Sequence, residues 1–435
     1  MREPLTLSQR LLAHLHPCLH APAWHVAFSG GLDSTVLLHL LAHMPGRPPL
    51  TAIHVHHGLQ PIADTWPGHC QRFCDSLGIP LTISHVRIAT GASLEQAARN
   101  ARYQAFEKLL QPGELLLTAQ HRDDQAETLL FRLLRGTGVR GLAAMPRVRR
   151  LGQGRLLRPM LDEPRQTLLE YARQHRLNWI EDPSNADTEF SRNYLRREVI
   201  PVITQRWPQA ATSMARTASH LSEALELLQE LAADDLRPAQ IPSPWPWLGV
   251  PSLALAPLAA LSEARQRNAL QNWLAPLTRL PDAQHWAGWT TLRDAGADAT
   301  PVWRLADGEL QRGGGRVWWI SGRWSQAQPS VQAWAKPDAV LALPDNGLVR
   351  WQGDRVGEVW QIRYRQGGET LLLPGRGRRD LKRLLNESGL PGFVRARLPL
   401  LYVDGELQAV ANLPLGRDAN ARLIWTTPTS DQSLR

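Results

Sequence analysis

Ser29-Gly30-Gly31-Leu32-Asp33-Ser34 is the most informative sequence for the fold of the first half of the chain. It follows an apolar run at residues 25–28 that is typical of a buried strand, and it precedes a helical pattern at residues 35–42. Two adjacent glycines allow a tight turn and a close approach of the backbone to a ligand. Successive backbone N–H groups and the positive end of the following helix form a cradle for an anion. The stretch therefore predicts a phosphate-binding loop at the carboxyl end of a strand.

The loop differs from two common phosphate-binding sequences. No Gly-Lys-Ser/Thr follows it, as a Walker loop requires, and its glycines lack the spacing of the dinucleotide-binding fingerprint. Ser29 and Ser34 add hydroxyl donors to the cradle. A bare phosphate would repel Asp33, so we expect this carboxylate to face a Mg²⁺ ion that bridges the phosphates, or the incoming substrates.

Short apolar runs alternate with helical patterns around this loop. Three further runs read as strands, at residues 50–55, 81–86 and 114–119. Residues 64–77 and 93–110 read as helices, the second of them capped by Ser93. Repeated strand–helix–strand units predict an α/β fold with a Rossmann-like, doubly wound parallel sheet.

The pattern changes after this region, and we expect three domains: residues 1–208, 209–345 and 346–435. The middle domain reads as mainly helical, with long helical patterns at 211–236 and 251–280 and a small β element at 302–320. The last domain reads as a small α+β unit. In it, two apolar runs flank Asp404-Gly405, a pair suited to a type I′ hairpin.

Composition narrows the class of protein. Lys and Arg number 49 against 40 Asp and Glu, and the formal net charge of +9 favours a polyanionic partner such as nucleic acid. Hydrophobic residues make up 43%, enough to exclude global disorder. The three cysteines are too few for a disulfide scaffold, and we expect Cys70 and Cys74 to be packing residues. No apolar run approaches the roughly 20 residues that span a bilayer, and no signal peptide is evident, so we expect a cytoplasmic protein without membrane contact.

A second charged motif lies at residues 118–128, after the fourth predicted strand. Asp124 and Glu127 are three apart, so a helix places both carboxylates on one side. Acids in the first turn of a helix are stabilised by its dipole, whatever their function. Beside a phosphate loop, however, acids indicate a cationic substrate or Mg²⁺.

The loop resembles the pyrophosphate loop of N-type ATP pyrophosphatases, and further stretches resemble one group within them, the tRNA(Ile)-lysidine synthetase family. These stretches are residues 54–59, 95–103, 118–128, 134–142, 181–185 and 192–197. The resemblance is dense in the first half of the chain and thin in the middle. It returns at residues 377–384, which resemble the C-terminal domain of the longer, three-domain members.

This resemblance implies an ATP-dependent ligase that acts on isoleucine tRNA with a CAU anticodon. Such an enzyme joins free L-lysine to carbon 2 of the wobble cytidine through an adenylated intermediate, and it releases pyrophosphate and AMP. The product reads AUA instead of AUG. The implied cofactors are ATP and Mg²⁺. The first domain would then be catalytic, the second a linker and substrate-binding domain, and the third a tRNA-binding domain.

The resemblance also implies roles for individual residues. The loop Ser29, Gly30, Gly31, Leu32, Asp33 and Ser34 would hold the pyrophosphate, with Asp33 on Mg²⁺. Asp124 and Glu127 would face the lysine ammonium and the metal, and Arg99 or Arg102 the nucleotide. The tRNA-binding residues would be Arg192, Arg196, Arg378, Arg379 and Lys382. A solvated basic surface remains the alternative for these last five, and the carboxylate that acts as general base stays open.

Three other functions share parts of this pattern. A tRNA-thiolating enzyme would use the same loop, but this chain has no Cys-x-x-Cys and no cysteine after Cys74. A small-molecule amidating ligase is often paired with a glutaminase domain that carries a nucleophilic cysteine, which is missing here. A non-catalytic tRNA-binding protein would not need Asp33, Asp124 and Glu127 together.

Overall fold

In the computed structural model the chain forms two compact units, Met1–Glu226 and Leu227–Arg435. The structure describes residues 5–58, 61–87, 94–282, 284–296, 299–326, 330–354, 357–418 and 420–428. The expected helix cap at Ser93 lies outside these residues. Each unit is described separately below, and the expected domain boundaries near residues 208 and 345 stay predictions.

A six-stranded sheet forms the centre of the first unit. Its strands are β1 (Trp24–Ala27), β2 (Leu50–His56), β3 (Leu81–His85), β4 (Leu115–Leu117), β5 (Val148–Leu151) and β6 (Gly154–Leu157). Their order is β3-β2-β1-β4-β6-β5, and all neighbours are parallel except β5 and β6. The predicted parallel sheet is confirmed. The antiparallel edge strand β5 was not predicted.

The strand order reverses at β1, because β2 lies on one side of it and β4 on the other. Val26 is in register with both Ala52 and Leu117, so the carboxyl ends of the three strands lie side by side. In open α/β sheets, ligands bind at such a reversal. The loops that follow β1 and β4 are therefore neighbours, and these are the loops that carry the two charged motifs.

Helices make up much of the rest of the first unit, and several of them bury apolar residues in its core. They are α1 (Leu7–Leu15), α2 (Leu32–Ala42), α3 (Trp66–Leu77), α4 (Leu94–Leu109), α5 (Arg122–Leu133), α6 (Val139–Leu142), α7 (Arg165–Gln174), α8 (Ser191–Tyr194) and α9 (Ile200–Arg206). A π-helical turn, Leu195–Val199, joins α8 to α9. Cys70 and Cys74 are free and fully buried in this core, as predicted for packing residues. α10 (Ala210–Leu236) confirms the long helix predicted at residues 211–236.

The second unit begins with helices packed on a four-stranded antiparallel sheet. Its first elements are β7 (Ser252–Ala254), α11 (Leu255–Ala259), α12 (Glu263–Leu274), α13 (Ala287–Asp294), β8 (Val302–Leu305), β9 (Gly308–Gly313) and β10 (Arg316–Ile320), in the sheet order β7-β10-β9-β8. The predicted β element at residues 302–320 is confirmed. The helical prediction for residues 251–280 was wrong at its start, because residues 252–254 pair with β10.

Short strands and two helices make up the rest of the second unit. They are β11 (Gln332–Ala333), β12 (Leu341–Leu343), β13 (Gly347–Gln352), β14 (Trp360–Arg363), β15 (Thr370–Leu373), β16 (Gly377–Asp380), α14 (Leu381–Glu387), α15 (Gly392–Arg395), β17 (Leu400–Val403), β18 (Glu406–Val410) and β19 (Arg422–Thr426). The sheets run β11-β14-β17-β18, β12-β13-β19 and β15-β16. Asp404 and Gly405 have φ of 53° and 81°, so the type I′ turn between β17 and β18 is confirmed.

Tryptophan is abundant in this chain, with 17 residues, and sequence patterns did not explain this number. One hydrophobic core of the second unit contains five buried indoles: Trp318, Trp324, Trp334, Trp360 and Trp425. The Trp425 Nε1–H donates to the Asn346 carbonyl at 2.7 Å, which satisfies its polar atom inside the core. These five side chains therefore serve packing. Among the helices of the described residues, none combines the length and the apolar character needed to cross a bilayer.

Candidate active site

The predicted phosphate loop forms the turn between β1 and α2. Gly30 has φ of +85°, a conformation that glycine adopts readily, and Gly31 is the N-cap of α2. The Ser29 and Ser34 hydroxyl oxygens are 3.1 Å apart, and the Ser34 hydroxyl donates to the Gly31 carbonyl at 3.0 Å. Leu32 is buried and anchors the loop in the core. Both hydroxyls thus lie beside the first turn of α2, whose leading N–H groups lack helical partners.

Position 30 has no room for a side chain. An ideal Cβ would lie 2.6 Å from Ile180 Cδ1 and 3.0 Å from Cys70 Sγ. The Ile180 N–H also donates to the Gly30 carbonyl at 2.8 Å. This hydrogen bond fixes the segment at residues 181–185 next to the loop. In that segment Asp182 accepts hydrogen bonds from the Ser184 N–H at 2.9 Å and hydroxyl at 2.7 Å.

His121 links the loop to the acidic motif. It is the N-cap of α5 and only 1% exposed. Its Nε2 lies 3.7 Å from Asp33 Oδ2 and 3.5 Å from Asp124 Oδ2, and its Nδ1 lies 3.6 Å from Asp123 Oδ2. Burial alone would lower the pKa of His121, but Asp124, Asp123 and Asp33 outweigh it and raise this pKa to about 10. A buried imidazolium therefore holds three carboxylates together.

His121 lies within the motif at residues 118–128, and no role was predicted for it. A histidine just before a helix with acids two and three positions later indicates a local ion pair. Its contact with Asp33, 88 positions earlier in the chain, depends on β1 and β4 being neighbours. Asp123 also accepts from the Arg165 N–H at 2.9 Å. Burial favours the neutral acid, but His121, the Arg165 N–H and Arg122 lower the pKa of Asp123 to about 2.

Among the described residues, one carboxylate oxygen of Asp33 has no hydrogen-bond partner. Its Oδ1 is buried and accepts no hydrogen bond from the described residues. Such an oxygen is costly to leave unpaired, and it suits a cation. In the part of the chain that the structure describes, no group of three or more His, Cys, Asp or Glu side chains could hold a metal alone. One carboxylate plus nucleotide phosphates is how Mg²⁺ is usually held, so the residues present fit this ion.

Asp124 and Glu127 lie on one side of α5, as predicted, and both contact Arg196. Arg196 Nε donates to Glu127 Oε1 at 2.5 Å, and Arg196 Nη2 donates to Glu127 Oε2 and to Asp124 Oδ1, each at 2.9 Å. Glu127 is 5% exposed, and burial raises its pKa even though Arg196 opposes this shift. The sequence assigned Arg196 to tRNA. The structure places its guanidinium inside the acidic site, and no local pattern could have indicated this contact.

Arg99, Arg102 and Arg192 are the remaining arginines of the first unit to which the sequence assigned a role. Arg99 Nη2 donates to the Tyr103 hydroxyl at 3.4 Å, and its guanidinium carbon lies 4.9 Å from the centre of that ring. Arg102 is exposed. Burial lowers the pKa of Arg132, and the positive charges of Arg192 and Arg99 lower it further.

Arg378, Arg379 and Lys382 belong to the second unit. All three side chains are exposed, the first two on β16 and the third on α14. Arg378 Nη2 lies 3.9 Å from a Glu406 carboxylate oxygen. The hydrogen bond from the Arg383 N–H to Asp380 Oδ1, 2.8 Å long, caps α14 and fixes the turn between the three basic residues. Their exposure suits phosphate contacts, and their role stays a prediction.

Comparison with known proteins agrees with this arrangement. A family model described as a PP-loop domain matches residues 4–203. Models of the TilS substrate binding domain and the TilS substrate C-terminal domain match residues 253–318 and 360–425. The three matches follow one another along the chain, and together they cover both units.

Relatives that match this chain over nearly their full length share one name. The chain is 61% identical to a tRNA(Ile)-lysidine synthase of Pseudomonas putida, over 97% of this chain and 100% of that protein. It is 58% identical to that of Pseudomonas aeruginosa, over 98% and 99% of the two chains. With that of Escherichia coli O157:H7 the identity is 40%, over 89% and 91%. The chain therefore belongs to the tRNA(Ile)-lysidine synthase family.

Proposed function

We propose that this protein uses ATP to ligate L-lysine to carbon 2 of the wobble cytidine in the CAU anticodon of isoleucine tRNA. The reaction releases pyrophosphate and AMP and changes codon reading from AUG to AUA. One observation carries the proposal: a pyrophosphate-type loop and the acid pair Asp124–Glu127 share one site, with His121 between them. An acid pair next to a loop for phosphates favours a cationic second substrate as the ligand of these acids.

In the first step the cytosine carbonyl oxygen attacks the α-phosphate of ATP, and pyrophosphate leaves. Ser29, Ser34 and the N–H groups at the start of α2 hold the departing anion. Arg99 or Arg102 neutralises negative charge on the nucleotide. Asp33, with its unpaired Oδ1, would hold a Mg²⁺ ion, which supplies further charge stabilisation when bound.

In the second step the lysine ε-amine attacks carbon 2, and AMP leaves. Asp124 and Glu127 orient the amine. Free lysine has a pKa of about 10.4, so the amine must lose a proton before it can attack. The raised pKa of Glu127 favours this carboxylate as the proton acceptor.

The tRNA itself is a large polyanion, and several exposed arginines suit it. We assign backbone contacts to Arg192 in the first unit and to Arg378, Arg379 and Lys382 in the second. The wobble base must leave the anticodon stack to reach the loop, as single-stranded RNA permits. A cytoplasmic location without membrane contact, and the domain boundaries given above, remain predictions.

The cysteines argue against the thiolating alternative. Burial, together with a neighbouring cysteine, raises the pKa of Cys70 to about 12. Burial, together with Asp75, raises that of Cys74 to about 12. Thiols with such pKa values supply almost no thiolate near neutral pH, and the thiolate is the reactive form. Sulfur transfer therefore has no suitable nucleophile at these two positions.

The test is incubation of the full chain with ATP, Mg²⁺, radiolabelled lysine and isoleucine tRNA with a CAU anticodon. We expect lysine to enter this tRNA and not a methionine tRNA with the same anticodon letters. Modification that required a sulfur donor instead would reject the proposal. Asp33→Ala should abolish adenylation and leave tRNA binding largely intact, whereas Asp75→Ala, an exposed acid on α3, should change neither. Preserved adenylation with lost tRNA binding in Asp33→Ala would contradict the role of Asp33.

A further inference from the structure

The Arg196 guanidinium lies where the proposed function puts the ammonium group of lysine. It makes three hydrogen bonds to Asp124 and Glu127, two of them a bidentate pair with Glu127. We propose that Arg196 closes the lysine site while tRNA is absent, and that a tRNA phosphate draws the guanidinium away so that the ammonium can enter. This inference rests on the proposed function, because it requires these acids to bind lysine.

Arg196 and a lysine ammonium cannot occupy Glu127 at the same time. Glu127 is only 5% exposed, and both of its oxygens already accept from Arg196. An ammonium ion in contact with the same oxygens would stand within a few ångströms of the guanidinium, where water screens little of the repulsion. Lysine and Arg196 therefore compete for Asp124 and Glu127. The carboxylates bind whichever of these two cations has fewer binding partners elsewhere.

Arg196 also has a nitrogen that an RNA phosphate could bind, and this contact could draw the side chain away from the acids. Its side chain is 41% exposed, and its Nη1 donates to none of the described residues. A phosphate can bind this nitrogen before the acids are released, and guanidinium pairs with phosphate as readily as with carboxylate. The side chain sits on the π-helical turn Leu195–Val199, between α8, which carries Arg192, and α9. π-helical turns are uncommon and often mark functional sites.

The exchange couples lysine binding to tRNA binding. When tRNA removes Arg196, the affinity for lysine rises, and linkage requires lysine to raise the affinity for tRNA by the same factor. The apparent lysine affinity without tRNA is reduced by the fraction of molecules in which Arg196 has left the acids. The device would keep lysine from occupying the site before the base that must receive it is bound.

The test measures equilibrium binding of radiolabelled lysine to the full chain with a non-hydrolysable ATP analogue, with and without the isoleucine tRNA. In the natural protein we expect tRNA to strengthen lysine binding by about ten-fold or more. Lysine should strengthen tRNA binding by the same factor. Lysine affinity that is independent of tRNA would overturn the proposal, and this measurement needs no variant.

Arg196→Met removes the competing cation and keeps much of the side-chain volume. We expect it to bind lysine without tRNA about as tightly as the natural protein does with tRNA, and to lose the coupling. Arg197→Met removes the same charge from the same turn, and it should keep the coupling. Weaker lysine binding in Arg196→Met would mean that Arg196 only orients the acids, and it would reject the competition. If lysine enters tRNA but the coupling is absent, the inference fails and the proposed function stands.

Discussion

Gly30→Ala tests whether the phosphate loop depends on one glycine. The residue has φ of +85°, and an alanine in that region costs about 1–2 kcal/mol. Its Cβ would lie 2.6 Å from Ile180 Cδ1, whereas optimal carbon contacts are about 3.5–4.0 Å, so the isoleucine must retreat by about 1 Å. The hydrogen bond from the Ile180 N–H to the Gly30 carbonyl opposes this movement. Overpacking of this kind costs about 1–3 kcal/mol, which brings the expected loss to about 2–5 kcal/mol.

Thermal unfolding of the full chain without ligands measures this loss. For a unit of the size of Met1–Glu226, about 2–5 kcal/mol lowers the melting temperature by about 4–20 °C. Hydrogen exchange of peptides from β1 and α2 should locate the loosening at the loop. Two other glycine substitutions are matched controls. Gly31→Ala has an ordinary φ of −74° and a nearest contact of 3.4 Å, so we expect only the cost of replacing a glycine N-cap by alanine, about 0.5–1 kcal/mol. Gly46→Ala has φ of +69° and open space, so it should show the backbone cost alone.

The comparison of Gly30 with Gly46 is decisive. If Gly30→Ala destabilises the protein no more than Gly46→Ala does, contact with Ile180 and Cys70 contributes nothing, and the close packing described for the loop is incorrect. If Gly31→Ala proves the more damaging of the two loop variants, the assignment of the left-handed conformation to Gly30 is incorrect.

Three further outcomes follow from the site. Glu127→Gln should weaken lysine binding by about 2–5 kcal/mol, which raises the KM for lysine roughly 30- to 5000-fold. The KM for ATP should change little. An equal rise in the two KM values would contradict the role of Glu127 in binding the ammonium group. Combined alanine substitution of Arg378, Arg379 and Lys382 should weaken tRNA binding and reduce the slope of log affinity against log salt by about 2–3. An unchanged slope would leave these residues as solvated surface. Finally, the folded protein keeps the proton on His121 up to pH about 10, whereas the unfolded chain loses it near 6.5. The stability that this proton contributes is therefore complete below pH 6.5 and lost as pH rises to about 10. His121→Gln should flatten the stability profile between these values, and an unchanged profile would contradict the buried imidazolium.

Local sequence patterns were sufficient to predict the strands and helices around the loop. The run that became β4 was readable because a strand buried on both faces is continuously apolar, and β1 and β2 were readable from their high share of apolar residues. The Asp404-Gly405 turn was readable because few residue pairs accept two positive φ angles. Residues 252–254 were misread as helix, since Leu and Ala suit both structures and only pairing with β10 decides between them.

The contacts within the site were harder to predict from the sequence. Asp124 and Glu127 could be placed on one face of a helix because their spacing fixes their relative direction. Arg196 could not be placed, because its partners are 69 and 72 positions away in the chain. A long, flexible side chain on an arginine-rich helix gives no sign of whether it meets RNA or a carboxylate.

The chemistry available to this protein could be recognised in its residues: a glycine turn that can hold phosphates, acids that suit a cation, and basic segments that suit RNA. These properties reside in residue types and short spacings, where backbone geometry leaves few choices. Tertiary structure alone decided that β4 lies next to β1, and thus that His121 meets Asp33 and that Arg196 covers the acid pair. Strand order and long-range ion pairs depend on how the whole chain buries its apolar surface, and no local stretch encodes that result.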